Sequence, residues 1–240
     1  MELPKDDKPF LTVNNKDRYR AIDDLIEESR PTHAYFTLLI LSSVIIASGL
    51  LLANSPILIG GMLVTPVLNP ILLIALGITV SRPRLIKRTA ILILKSVAVI
   101  FGISFVAGIL FSAPEVSDLY RESLFDNSLR AAFLYFLVAF TSGIAATFSW
   151  IRKEITNVLP GISIAVSLVP PISMVAIWLS MGQIDLMRFF LMVFLFNMFG
   201  IIMGGLVIFS LLRFYSAGQH IKDKVDEVIL QEAGYKTNNK

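Results

Sequence analysis

The chain of 240 residues is 55% hydrophobic and only 16% charged, with a mean hydropathy of +0.73, a balance that excludes water as its main solvent. A net charge of +3 does not mark a nucleic-acid binder, because Lys and Arg fall in short clusters between apolar runs and form no basic face. With no cysteine, disulfides, thiolate catalysis and cysteine metal sites are excluded.

Met1 to Arg30 is rich in charge and lacks the apolar run of a cleavable signal, so the first membrane helix is expected to act as the insertion signal. Within this N-terminal segment, residues 1–33, the side chains of Tyr19, Ile22, Leu25 and Ile26 recur at helical spacing before Pro31. That pattern predicts a short amphipathic helix with a proline stop.

A bilayer-crossing helix needs about 20 mostly apolar residues. Six stretches of the transmembrane domain, residues 34–214, meet that need: Tyr35–Ala53, Ile57–Val80, Thr89–Phe111, Leu129–Trp150, Val158–Leu179 and Phe189–Leu212. The expected fold is therefore an all-α polytopic membrane protein. Arg82, Arg84, Lys87, Arg88, Arg152 and Lys153 lie in loops on one side, with Arg30, Arg213, Lys222 and Lys224 flanking, whereas Arg121, Arg130 and Arg188 lie on the other. The positive-inside rule then places both termini in the cytoplasm, and the lack of a targeting segment leads to the expectation of a cell (inner) membrane. Trp150, Trp178, Tyr35 and Tyr215 fall at span ends, where amphipathic rings prefer the headgroup level. Beyond the last span, residues 215–240 carry a second stripe of Ile221, Val225, Val228 and Ile229 before Gly234, with a polar tail expected to be disordered. Both terminal helices are expected to pack on the membrane domain or on each other; a partner-docking role stays open.

Two spans carry internal prolines, which remove a backbone donor and clash with the carbonyl four residues earlier. The second holds Pro56, Pro66 and Pro70; the fifth holds Pro160, Pro170 and Pro171. Pro56 and Pro66 precede Pro160 and Pro170 by 104 residues each, and the spans around them align three by three. This predicts an inverted repeat, 34–111 and 129–214, whose second and fifth helices are broken and meet at the midplane as in many secondary transporters. Proline kinks that serve packing alone give the same sequence.

By helical geometry the prolines release the carbonyls of Met62, Pro66, Val166 and Ser167. The candidate substrate-binding set is Thr65, Pro66, Asn69, Pro70, Ser163, Ser167, Pro170, Pro171 and Asn197, with Ser173 close by in sequence: neutral dipoles suited to a small solute or a monovalent ion. For Asn197 an interhelical hydrogen bond is an equal reading, and Gly200 and Gly204 are read as a packing pair. No Asp or Glu falls within the six spans, so a proton relay and a divalent-cation site lose their usual carboxylates. Lys95 is the one ionisable group well inside a span and is expected to snorkel toward the surface; a counter-charge for an anion is the alternative. His33 and His220 lie outside the apolar core. No nucleophile elbow, zincin motif or phosphate-cradling loop is present, so neither an enzyme nor a cofactor is expected.

Several of these segments have the look of a known family. Gly49-Leu50-Leu51, Asn54-Ser55 and Ile57 to Pro70, then Leu159-Pro160-Gly161-Ile162, Ile164-Ala165-Val166 and Leu168-Val169-Pro170-Pro171, and finally Leu195-Phe196-Asn197 with Gly200 resemble the membrane family called domain of unknown function 389. The resemblance runs from about Thr37 to Phe209 and departs at Val64-Thr65, where small apolar residues such as Ile-Ala are the family's habit. It implies the membrane architecture and the weight of the proline segments, and it carries no substrate. The expected function is a transporter or channel-like protein with lipid bilayer around it and a second copy of itself as partner. A non-transporting scaffold and a lipid-binding protein are the alternatives.

Overall fold

The computed structural model describes residues 13–111, 128–152 and 168–232. Among them the secondary structure is helical: α1 (Asn15–Glu28), α2 (His33–Leu51), α3 (Ser55–Val64), α4 (Leu68–Thr79), α5 (Pro83–Phe111), α6 (Ser128–Ile151), α7 (Val169–Ser180), α8 (Ile184–Leu211), a 3-10 turn (Phe214–Ala217) and α9 (Gly218–Glu232). Four helices, α2, α5, α6 and α8, are long and apolar enough to cross a membrane, or five spans if α3 and α4 count as one. The chain is thus a multi-pass membrane protein with four to five candidate spans among the described residues, against the six expected. Of the fifth expected span, Val158–Leu179, residues 158–167 lie outside the described residues, and α7 alone has 12 residues, about 18 Å of helix against roughly 30 Å of hydrocarbon.

Local chemistry sets the boundaries. Thr32 caps α2 by accepting from the Tyr35 N–H at 3.1 Å, and Asn54 caps α3 by accepting from Ile57 at 3.1 Å, with Pro56 in the first turn where no donor is missed. Pro83 likewise opens α5, which therefore starts six residues before the expected Thr89 and carries Arg84, Lys87 and Arg88 as helix rather than loop. The turns after α4 and α7 match bond for bond. Val80, Ser81 and Arg82 donate to the carbonyls of Leu76, Ile78 and Gly77; Met181, Gly182 and Gln183 donate to those of Ile177, Leu179 and Trp178. Each turn passes through a left-handed residue, Ser81 at φ 52° and Gly182 at φ 73°, and each leads from a 12-residue helix into one of 28 or 29 residues.

Packing centres on α7, buried from Val169 through Trp178, which lies against α5, α8 and α2. The tightest seam joins α6 to α8: a methyl on Gly143 would stand 2.6 Å from the Ile201 carbonyl oxygen, and one on Gly200 2.8 Å from that of Phe136. Gly204 meets the Phe140 carbonyl in the same way, so the small residues there serve close helix packing.

Both terminal helices pack as the stripes predict. α1 buries Ala21, Ile22, Leu25 and Ile26 against α4, α9 and the end of α6, and α9 buries Ile221, Val225 and Val228. Arginines of α1 reach the last carbonyls of two long helices: Arg18 donates to Leu212 at 3.1 Å and Arg20 to Ile151 at 3.2 Å. Trp150 donates in turn to the Ala21 carbonyl at 3.1 Å, and His220 of α9 lies 2.9 Å from Asp23 and stacks on Tyr19.

Candidate functional site

The break lies between α3 and α4, whose axes differ by 51°. Its cause is local: a residue before proline is driven out of the helical region, and Thr65 adopts φ −74°, ψ 124° ahead of Pro66. Pro70 does not break a helix. It sits in the first turn of α4, where the leading N–H groups have no intrahelical partner to lose, and Pro170 and Pro171 occupy the same place in α7. The expected interruption at both Pro66 and Pro70 is therefore corrected to one interruption, at Thr65–Val67.

The released carbonyls are also fewer than expected. The Thr65 N–H donates to Met62 at 3.3 Å, in a tighter turn than the α-helix makes, and the Thr65 hydroxyl donates to Gly61 at 3.0 Å. The chain thus repairs its own helix end, and neither Met62 nor Gly61 presents a bare oxygen to a guest. Val166, Ser167 and Ser163 lie outside the described residues.

Asn69, expected among neutral dipoles, donates instead to the Glu28 carboxylate at 2.8 Å. An acid thus reaches the break from α1, 41 residues away in sequence. Partial burial pushes the Glu28 carboxyl above the usual range, the neighbouring Asp24 pushes it further the same way, and the Asn69 hydrogen bond opposes both. Glu28 is the site residue that sequence spacing missed. A signal existed in the chain, since Asn69 is the one amide at the start of an otherwise apolar helix and needs a partner.

The other candidates are buried. Pro70, Pro170 and Pro171 are packed, and Asn197 is only 3% exposed within α8. The structure brings α3 against α7 and α4 against α8, where Ala75 and Leu72 approach Gly205. Thr65 and Asn69 meanwhile direct their side-chain hydrogen bonds to Gly61 and Glu28. Two hydroxyls add to the set: Ser104 of α5 and Ser173 of α7 are fully buried and have no hydrogen-bond partner among the described residues. Each lies one turn before Gly108 or Ile177, which pack so closely that a methyl on Gly108 would stand 3.2 Å from the Ile177 Cα. Lys95 is exposed at the wall of a surface cavity toward the end where the terminal helices pack. Among the described residues no three His, Asp or Glu side chains come together as a metal ion would require.

No solved structure matches the chain. An uncharacterised protein of Methanocaldococcus jannaschii is 25% identical over 177 residues, which are 72% of this chain and 52% of that relative. The chain spans about half the length of the curated relative it matches. The profile described as domain of unknown function, DUF389, matches residues 62–203, more than half the chain and the stretch that holds the break, α7 and Asn197. The protein belongs to the DUF389 family.

Proposed function

We propose that this protein passes a small solute across the membrane, with a monovalent cation as the first choice and a small neutral solute as the second, and that the α3–α4 break is where it is held. The observation that carries the reading is the Glu28–Asn69 pair at the start of α4, a partly exposed carboxylate and amide set beside an interrupted apolar helix. Interrupted backbone within apolar surroundings is tolerated where protein or a lined cavity surrounds it. Supporting it, α4–turn–α5 and α7–turn–α8 share helix lengths and turn bonding, as two copies of one unit would. In this reading the copies are inverted, as a six-span architecture requires, and the equivalence runs through Pro70 and Pro171 rather than Pro66 and Pro170. Both termini face the cytoplasm of the inner membrane, the working form is a homo-oligomer, and no covalent chemistry or cofactor is involved.

Reconstituted proteoliposomes test it. Potassium, sodium and labelled neutral solutes should distinguish wild type from Asn69→Leu and Glu28→Ala, with flux of the transported species falling at least severalfold in both. Equal flux in empty and loaded vesicles across the panel would remove the reading. It would leave the scaffold alternative, which the glycine-lined α6–α8 seam favours by its rigidity.

A further inference from the structure

We propose that the cationic face of α5 binds the headgroup of an anionic phospholipid from the leaflet on the side of the terminal helices. A cavity of about 430 Å³ opens between the α1–α2 connection and the first half of α5. Arg84, Lys87, Arg88 and Lys95 line it, spaced so that one side of the helix carries all four, and among the described residues no acid lines it. Arg84 is only loosely engaged by Asp226, at 3.9 Å and largely in solvent. The opposite wall is formed by Ser29 and Pro31, so the four cations face a wall that brings no negative charge. A phosphate there would gain charge-assisted hydrogen bonds from the guanidinium and ammonium groups.

The source of the anion follows from the remaining wall. Ile91 and Leu92 line the cavity too, and Ile91 and Leu94 are exposed on α5 just beyond the basic turns. A free phosphate gains nothing from an apolar wall, whereas a phospholipid brings acyl chains that cover it while its phosphate meets the cations. This assignment does not depend on what crosses the membrane.

The test uses the full chain, purified and delipidated in detergent. Native mass spectrometry then counts bound phosphatidylglycerol and phosphatidylcholine, with melting temperature measured alongside. The variants are Lys87→Gln/Lys95→Gln, both positions exposed, and Lys16→Gln on α1 as a charge control. Wild type and the control should retain phosphatidylglycerol over phosphatidylcholine and gain thermal stability from it. In the double variant that preference should drop roughly twenty-fivefold, each surface cation contributing a factor of about five. Equal retention of the two lipids by wild type, or unchanged preference in the double variant, overturns the site. If millimolar inorganic phosphate raises the melting temperature as much as phosphatidylglycerol does, the ligand is a free anion and the lipid assignment fails.

Discussion

Arg18 and Leu212 are joined across 194 residues of sequence: the guanidinium of the first helix donates at 3.1 Å to the carbonyl that ends the last long one. The last carbonyls of a helix have no intrahelical donor, and its C-terminus carries partial negative charge, so a guanidinium there satisfies both deficits. Arg20 does the same for Ile151 at the end of α6. α1 is therefore a clamp over two membrane helices. Arg18→Ala and Arg20→Ala should each cost about 1–2 kcal/mol. Melting in detergent should fall for both and fall less for Lys16→Ala, which has no such partner role; a lysine at position 18 or 20 should restore part of the loss.

The α6–α8 seam predicts a contrast between glycines. At Gly143 an added methyl would stand 2.6 Å from a backbone oxygen, which has no side-chain freedom with which to yield. Gly143→Ala should therefore destabilise by about 1–3 kcal/mol, as overpacking does. At Gly102 of α5 nothing lies within 4 Å of the same methyl, so Gly102→Ala should gain up to about 1 kcal/mol from helix propensity. Thermal melting of the pair in one detergent reads opposite signs; like signs would show that the seam is looser than the contacts imply.

Tyr35 and Ser96 form a buried bond at 2.9 Å between α2 and α5. Because the Ser96 hydroxyl already donates to Leu92 at 2.9 Å, its single proton is spent, and the Tyr35 hydroxyl is the donor. The two deletions are therefore unequal. Tyr35→Phe removes one bond and strands nothing, costing about 1 kcal/mol, whereas Ser96→Ala leaves a phenol without its acceptor and costs about 1–3 kcal/mol. Denaturation of the single variants and the double variant should rank Ser96→Ala lowest.

What the sequence disclosed follows from the range of the forces involved. The apolar runs and the amphipathic stripes at Ile22/Leu25/Ile26 and Ile221/Val225/Val228 were readable because burial is periodic along one helix. Pro66 was readable as a break because its effect on Thr65 is between neighbours. Pro70 is not readable in the same way, since whether a proline breaks a helix or opens one depends on where the helix starts. Glu28 is hidden from the sequence because a partner 41 residues away leaves no spacing to count, and the basic residues of α5 resemble loop charges because Pro83 starts that helix early.

The partial burial of Glu28 gives the fold a pH dependence that its bond to Asn69 opposes. Burial and the neighbouring Asp24 raise the Glu28 carboxyl above its ordinary value, so the folded protein holds this proton more tightly than the unfolded chain does. The stabilisation from protonating Glu28 is thus fully present below the ordinary glutamate range and is lost as pH rises through the raised value. Glu28→Gln fixes the uncharged form and keeps an oxygen to accept from Asn69. It should leave melting unchanged in acid and raise it near neutral pH, whereas Glu28→Ala loses the acceptor and gains less. Melting temperature followed from about pH 4 to 8 decides, because the ordinary carboxyl titrates near the lower end of that window. A wild-type profile that runs parallel to that of Glu28→Gln throughout would mean the carboxyl does not feel its surroundings as the packing of α1 on α4 requires.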